Sequence, residues 1–139
     1  MRTYVKAAQC SVILLCLGGC GGSGKGYVPV EGNVTLDGAP MSGVYVFFDQ
    51  PEAARNNSYA GLTDEQGHFE LRGLGEGSSG APPGSYRVIL STAVVKPGSP
   101  EGTPTPPERV PSKYAGGKLK YDVPEAGEKD VRFELKNRG

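Results

Sequence analysis

Residues 30–48 read VEGNVTLDGAPMSGVYVFF, and this stretch decides the fold. Val28, Val30, Gly32, Val34 and Leu36 alternate with Glu31, Asn33, Thr35 and Asp37. That is the period of a strand with one face toward a core and one toward water. Asp37 to Gly43 carries turn residues, with Gly38 placed where a positive φ is needed. Val44 to Asp49 (VYVFFD) is apolar at both parities, which predicts a central strand.

The same grammar continues outward. Tyr59–Thr63 is a short strand, Asp64-Glu65-Gln66-Gly67 a turn, and His68–Arg72 a strand with Phe69 and Leu71 inward. Together they predict a hairpin, with Gly67 in the left-handed position. Ser85–Ser91 turns Tyr86, Val88 and Leu90 inward. Pro82 and Pro83 stiffen its approach, and a Tyr86 ring buried there can direct its hydroxyl to nearby backbone. Lys118–Val123 and Val131–Leu135 alternate likewise, the latter with Val131, Phe133 and Leu135 on one side. No segment after residue 20 carries a helical stripe. Seven short strands at this spacing predict an all-β, antiparallel β-sandwich.

One stretch breaks the pattern. Residues 96–112 hold six of the twelve prolines, interspersed with Thr, Ser, Glu and Gly. Such a segment cannot donate regularly to a ladder and has little to bury, so it reads as an exposed, polyproline-like or disordered loop. It is a solvated connection or a proline-rich ligand for a partner.

Composition narrows the function classes. The 139 residues suffice for one domain, and 15 basic residues balance 15 acidic ones, leaving no field to attract nucleic acid. Gly and Pro reach 22 and 12 without a Gly-X-Y period, which fits turn-rich β structure. The single His excludes any site requiring two histidines.

The N-terminal residues carry an address. Arg2 and Lys6 precede the eleven-residue apolar run Ala7–Leu17, too short for the ~20 residues of a bilayer span. Leu17-Gly18-Gly19-Cys20 then resembles the bacterial lipobox. The resemblance implies a signal peptide over 1–19, diacylglyceryl modification of Cys20 and acylation of its freed amine. Cys10 and Cys16 would leave with the signal, and no thiol or disulfide would remain. Removing two cations leaves 13 basic and 15 acidic side chains. Residues 20–27 then comprise the lipidated Cys and a glycine-rich tether, and 28–136 the β domain with loop 96–112.

Within that domain, VEGNVTLDGAPMSGVYVFF, GLTDEQGHFEL at 61–71, GAPPGSYRVIL at 80–90 and residues 110–135 resemble the carboxypeptidase regulatory-like or transthyretin-like domain. The likeness is to small lipobox-bearing proteins of planctomycete-type bacteria. It implies a seven-stranded Greek-key sandwich and non-enzymatic roles; its marks are turns and alternation, which speak to fold rather than chemistry.

The residues able to do chemistry are few. Asp37, Asp49, Asp64 and Glu65 lie at turns or strand ends, where Asx hydrogen bonds are the common use. A calcium site at Asp64 and Glu65 is the alternative, without EF-hand spacing. His68 is expected on an outward face beside Glu70, exposed and uninvolved, and no nucleophile motif surrounds it. The chain ends Lys-Asn-Arg-Gly, unlike the Tyr-Arg-Gly-Ser of hydroxyisourate hydrolases, and one His cannot supply the two of intradiol dioxygenases. A Lys–Asn isopeptide bond would need a lysine on the first strand, which has none; Asn137 is suitably late and Lys25 lies in the tether.

The expectation is therefore a non-enzymatic module without cofactor or metal, anchored at Cys20 in the cell envelope, on the outer membrane or a periplasm-facing membrane. Its partner would be an envelope protein or glycan, with no nucleic acid. The alternative is a carbohydrate-binding module using Tyr27, Tyr45, Tyr59 or Tyr114 as its platform.

Overall fold

The structure is a computed structural model that describes residues 26–50, 57–74 and 78–138. The predicted signal segment 1–19, Cys20 and most of the expected tether lie outside the described residues.

The strands are β1 (Val30–Leu36), β2 (Ala39–Pro40), β3 (Tyr45–Gln50), β4 (Asn57–Leu62), β5 (His68–Glu70), β6 (Arg72–Gly73), β7 (Gly84–Ser91), β8 (Leu119–Val123) and β9 (Glu128–Leu135). The one helical element among the described residues is a 3-10 turn at Ser112–Tyr114. The protein is all-β and built on two sheets. In the four-stranded sheet, β1 is flanked by β2 and β5 on one edge and by β9 on the other; the five-stranded sheet runs β6-β4-β3-β7-β8.

The alternation places the core as expected. Val30 and Val34 of β1, Val46 and Phe48 of β3, and Val88 and Leu90 of β7 are buried in one cluster. VYVFF does occupy the middle of its sheet, between β4 and β7. Phe133 of β9 reaches across to Phe48, so the C-terminal strand belongs to the core. Tyr86 is buried and its hydroxyl donates to the Pro82 carbonyl at 2.6 Å. Asp37 and Gly38 both have positive φ at the first turn (50° and 84°).

Three expectations are corrected. First, the sheets are not wholly antiparallel: β9 pairs with β1 in parallel, from Val30↔Glu128 to Leu36↔Leu135. A slip between Val30 and Gly32 lets β9 press close. A Cβ on Gly32 would sit 2.2 Å from the Val131 carbonyl oxygen, so glycine is required there.

Second, β4 and β5 do not form a hairpin. The Asp64–Gly67 turn exists, closed by Gly67 N–H to Asp64 C=O at 3.0 Å. The chain nevertheless leaves the five-stranded sheet at Leu62 and enters the four-stranded sheet at His68, pairing with β1. At Arg72 it returns to pair with β4. Phe69 and Leu71 are buried between the sheets, inward as their parity predicts, but from the four-stranded side.

Third, loop 96–112 is not wholly solvated. Turns at Lys96–Ser99 and Pro100–Thr103 shape its exposed part. Its end is tied down, because Val110 is only 4% exposed and joins the core cluster.

Candidate functional site

The strand register of the five-stranded sheet sorts its outer face into rows. Leu62, Tyr45 and Ser91 are aligned, then Ala60, Phe47 and Ile89, then Ser58, Asp49 and Arg87. The first two rows are largely apolar and the third polar. Tyr45 and Phe47 stand two apart on β3, so both point outward, and their rings stack 5.9 Å apart at 13°. Leu62 remains 41% exposed. Asp49 accepts from Arg87 and from Ser58, closing the polar end of the face.

Beside the apolar rows runs the proline-rich arm. After β7 the chain passes through Val94 and Val95, turns twice and comes back through Pro104, Pro106 and Pro107. The arm and the row of Tyr45 and Leu62 enclose a groove of about 350 Å³. Its walls are mostly apolar side chains, with Lys96 and Arg109 among the lining residues.

A hydrogen-bonded clamp holds the returning arm. The Thr92 hydroxyl donates to the Pro107 carbonyl at 2.8 Å and accepts from Arg109 N–H at 2.7 Å. Glu108 accepts from the Ser91 hydroxyl and from the amides of Thr92 and Val110, and it shares the single Thr92 hydroxyl proton with the Pro107 carbonyl. Partial burial pushes the Glu108 carboxyl upward, but these four donors together outweigh it and lower its pKa to about 2. The Arg109 guanidinium donates to the Ser42 carbonyl and pins the arm to the loop before β3. Sequence reading missed this clamp, because Thr92 and Glu108 lie 16 residues apart with no motif between them.

The aromatic candidates separate cleanly. Tyr45 lines the groove. Tyr59 is buried, stacked edge-on to Tyr86, and cannot serve as a platform. Tyr27 is 42% exposed but lies edge-on to Tyr59, away from the groove lining. Tyr114 is half-buried, and its hydroxyl accepts from Lys136 N–H at 3.1 Å.

The titratable candidates are also placed. Asp64 closes its own turn, one carboxylate oxygen accepting from the amides of Gln66 and His68 at 2.9 Å each. Asp37 accepts from the backbone and side-chain amides of Asn137 at 3.2 Å each, which occupies the asparagine considered for an isopeptide bond. His68 does lie on an outward face beside Glu70. It is half-buried on the outer face of the four-stranded sheet, with Nε2 4.0 Å from the Glu31 carboxylate. Glu31 and Glu70 are direct cross-strand partners, and Arg72 approaches Glu70 at 3.7 Å.

No family model, no curated protein and no solved structure matches this chain.

Proposed function

We propose that this protein is a lipid-anchored, non-enzymatic module of the bacterial cell envelope that holds a protein partner in the groove between its proline-rich arm and the outer face of β3. The finer fold assignment belongs to the same reading: a seven-stranded Greek-key sandwich of the transthyretin-like type, with β2 and β6 as two-residue accessories.

The observation that carries it is the groove itself. Tyr45 and Leu62 leave apolar surface exposed on a sheet face, and the Thr92–Glu108 clamp keeps the arm standing beside it. A preshaped apolar groove with a polar rim suits a protein ligand. The anchor rests on Leu17-Gly18-Gly19-Cys20, and the fold begins a few residues later, where Val28 bridges Ala81. That spacing would hold the domain close to the membrane, with the groove at the far end of β7 from the Val28–Ala81 bridge.

Two measurements test the reading. Cys20→Ala should abolish labelled-palmitate incorporation and block processing; retained labelling overturns the anchor. A photo-crosslinker at Leu62 should capture a defined envelope protein in intact cells, and Tyr45→Ala should abolish the capture. The stacked Tyr45 and Phe47 rings favour a second reading, a carbohydrate-binding module, since sugars dock on aromatic faces. Glycan-array binding lost in Tyr45→Ala, with no protein crosslink, would select it.

A further inference from the structure

We propose that Glu31, His68 and Glu70 form a binding site for a first-row transition-metal dication, with zinc as the reference ion. The three side chains come from two paired strands of the four-stranded sheet. Glu31 lies directly opposite Glu70, and His68 stands two residues before Glu70, so all three project from the same outer face. One ligand atom from each lies within 4.8 Å of the other two. A point equidistant from three atoms at that separation is about 2.8 Å from each. Inward movement of less than about 1 Å per side chain then reaches the ~2.1 Å of a zinc bond to nitrogen or oxygen.

The electrostatics ask for a cation. Two carboxylates directly opposite each other on neighbouring strands repel. The Arg72 guanidinium stands 3.7 Å from Glu70 and the His68 Nε2 4.0 Å from Glu31, both beyond hydrogen-bond length. A bound dication would replace these loose contacts and remove the repulsion.

The site is also built to hold its histidine. Asp64 N–H donates to the His68 carbonyl at 2.9 Å, and the Asp64 carboxylate accepts from the His68 amide at 2.9 Å. The turn thus grips both backbone groups of His68 and commits its own carboxylate, leaving the imidazole free to point along the face. Glu31 and Glu70 sit on paired ladder positions of β1 and β5. His68 and Glu70 line a shallow pocket of about 390 Å³ with Gly61, Asp64 and Arg72, so a bound ion would keep positions open to solvent. One imidazole with two carboxylates suits zinc and its first-row neighbours better than calcium or magnesium, which favour oxygen alone.

His68 is the chain's single histidine, so its ring signals in an NMR spectrum report this site directly. Titrating zinc into the metal-free protein should shift them saturably, with one ion per chain. Glu31→Gln and Glu70→Gln should each weaken binding by roughly tenfold or more, at least as much as losing an outer-shell partner would. Asp130→Asn, on the same sheet face but outside the cluster, should leave affinity unchanged. Unshifted His68 signals at millimolar zinc overturn the proposal. So does an affinity unaffected by either glutamate variant, which would mean a lone histidine, and so does displacement of zinc by equimolar calcium.

Discussion

Phe48 and Phe133 meet edge-on between the sheets, their ring centroids 6.3 Å apart and their planes at 73°. Phe48 belongs to the central strand of one sheet, and Phe133 to the C-terminal strand of the other. Phe133 also stacks on Phe69 and touches Tyr121, so this one ring ties β3, β5, β8 and β9 together.

Truncating that ring should be costly. Phe133→Ala loses transfer energy and leaves a cavity, at about 3–5 kcal/mol. A domain of this size has ~5–15 kcal/mol in all. The adjacent Glu134 is exposed, and Glu134→Ala should cost under about 0.5 kcal/mol. Urea unfolding of both variants measures the difference; equal small effects would remove β9 from the core.

The Glu108 clamp gives stability a specific pH dependence. Its carboxyl sits at about 2 in the folded protein, below the ~4.3 of an unfolded chain. The folded state therefore favours the ionised form, and its contribution is present above pH ~4.3 and lost as pH falls toward about 2. Glu108→Gln should lower stability at neutral pH and flatten the decline across that window. Urea midpoints measured along a pH series check both effects.

The proline arm divides into a dispensable part and a structural part. Residues 97–105 are almost wholly exposed, and their hydrogen bonds are those of the two local turns, Ser99 N–H to the Lys96 carbonyl and Thr103 to the Pro100 carbonyl. Replacing them with a short Gly/Ser linker changes closure entropy by only ~1 kcal/mol, so the melting temperature should move by a few degrees at most. Val110→Ala, which empties a buried site, should cost about 1–3 kcal/mol. Calorimetry of the two variants should rank them in that order.

Tyr86 contributes through its hydroxyl as well as its ring. Tyr86→Phe removes the donor to the Pro82 carbonyl and should cost about 1 kcal/mol. Burial, reinforced by Tyr59 and Tyr27 nearby, raises the Tyr86 pKa. Its contribution is therefore complete below the ~10 of an unfolded tyrosine and is lost as pH rises above that value. The variant should show a shallower loss of stability at alkaline pH, followed by denaturant unfolding.

The sequence by itself determined what depends on neighbours along the chain. Alternation in β1, β7 and β9 follows from the two-residue pleat, so Val34, Val88 and Phe133 could be placed inside from their parity alone. Glycine at 38 and 67 marked turns because a positive φ is a property of one residue. Tyr86 and the Asp64 turn were legible for the same reason, their partners lying two to four residues away. What only the tertiary structure decided depends on register between distant segments. The parallel seat of β9 on β1 pairs residues about a hundred positions apart, and the crossing at 62–68 reflects where Phe69 and Leu71 find a core, not the turn between the strands. Thr92 meets Glu108, and Glu31 meets Glu70, because each pair shares a spatial neighbourhood that no local periodicity encodes. The groove and the Glu31–His68–Glu70 cluster are products of that register, since a one-residue slip in either ladder would turn their side chains to the opposite face.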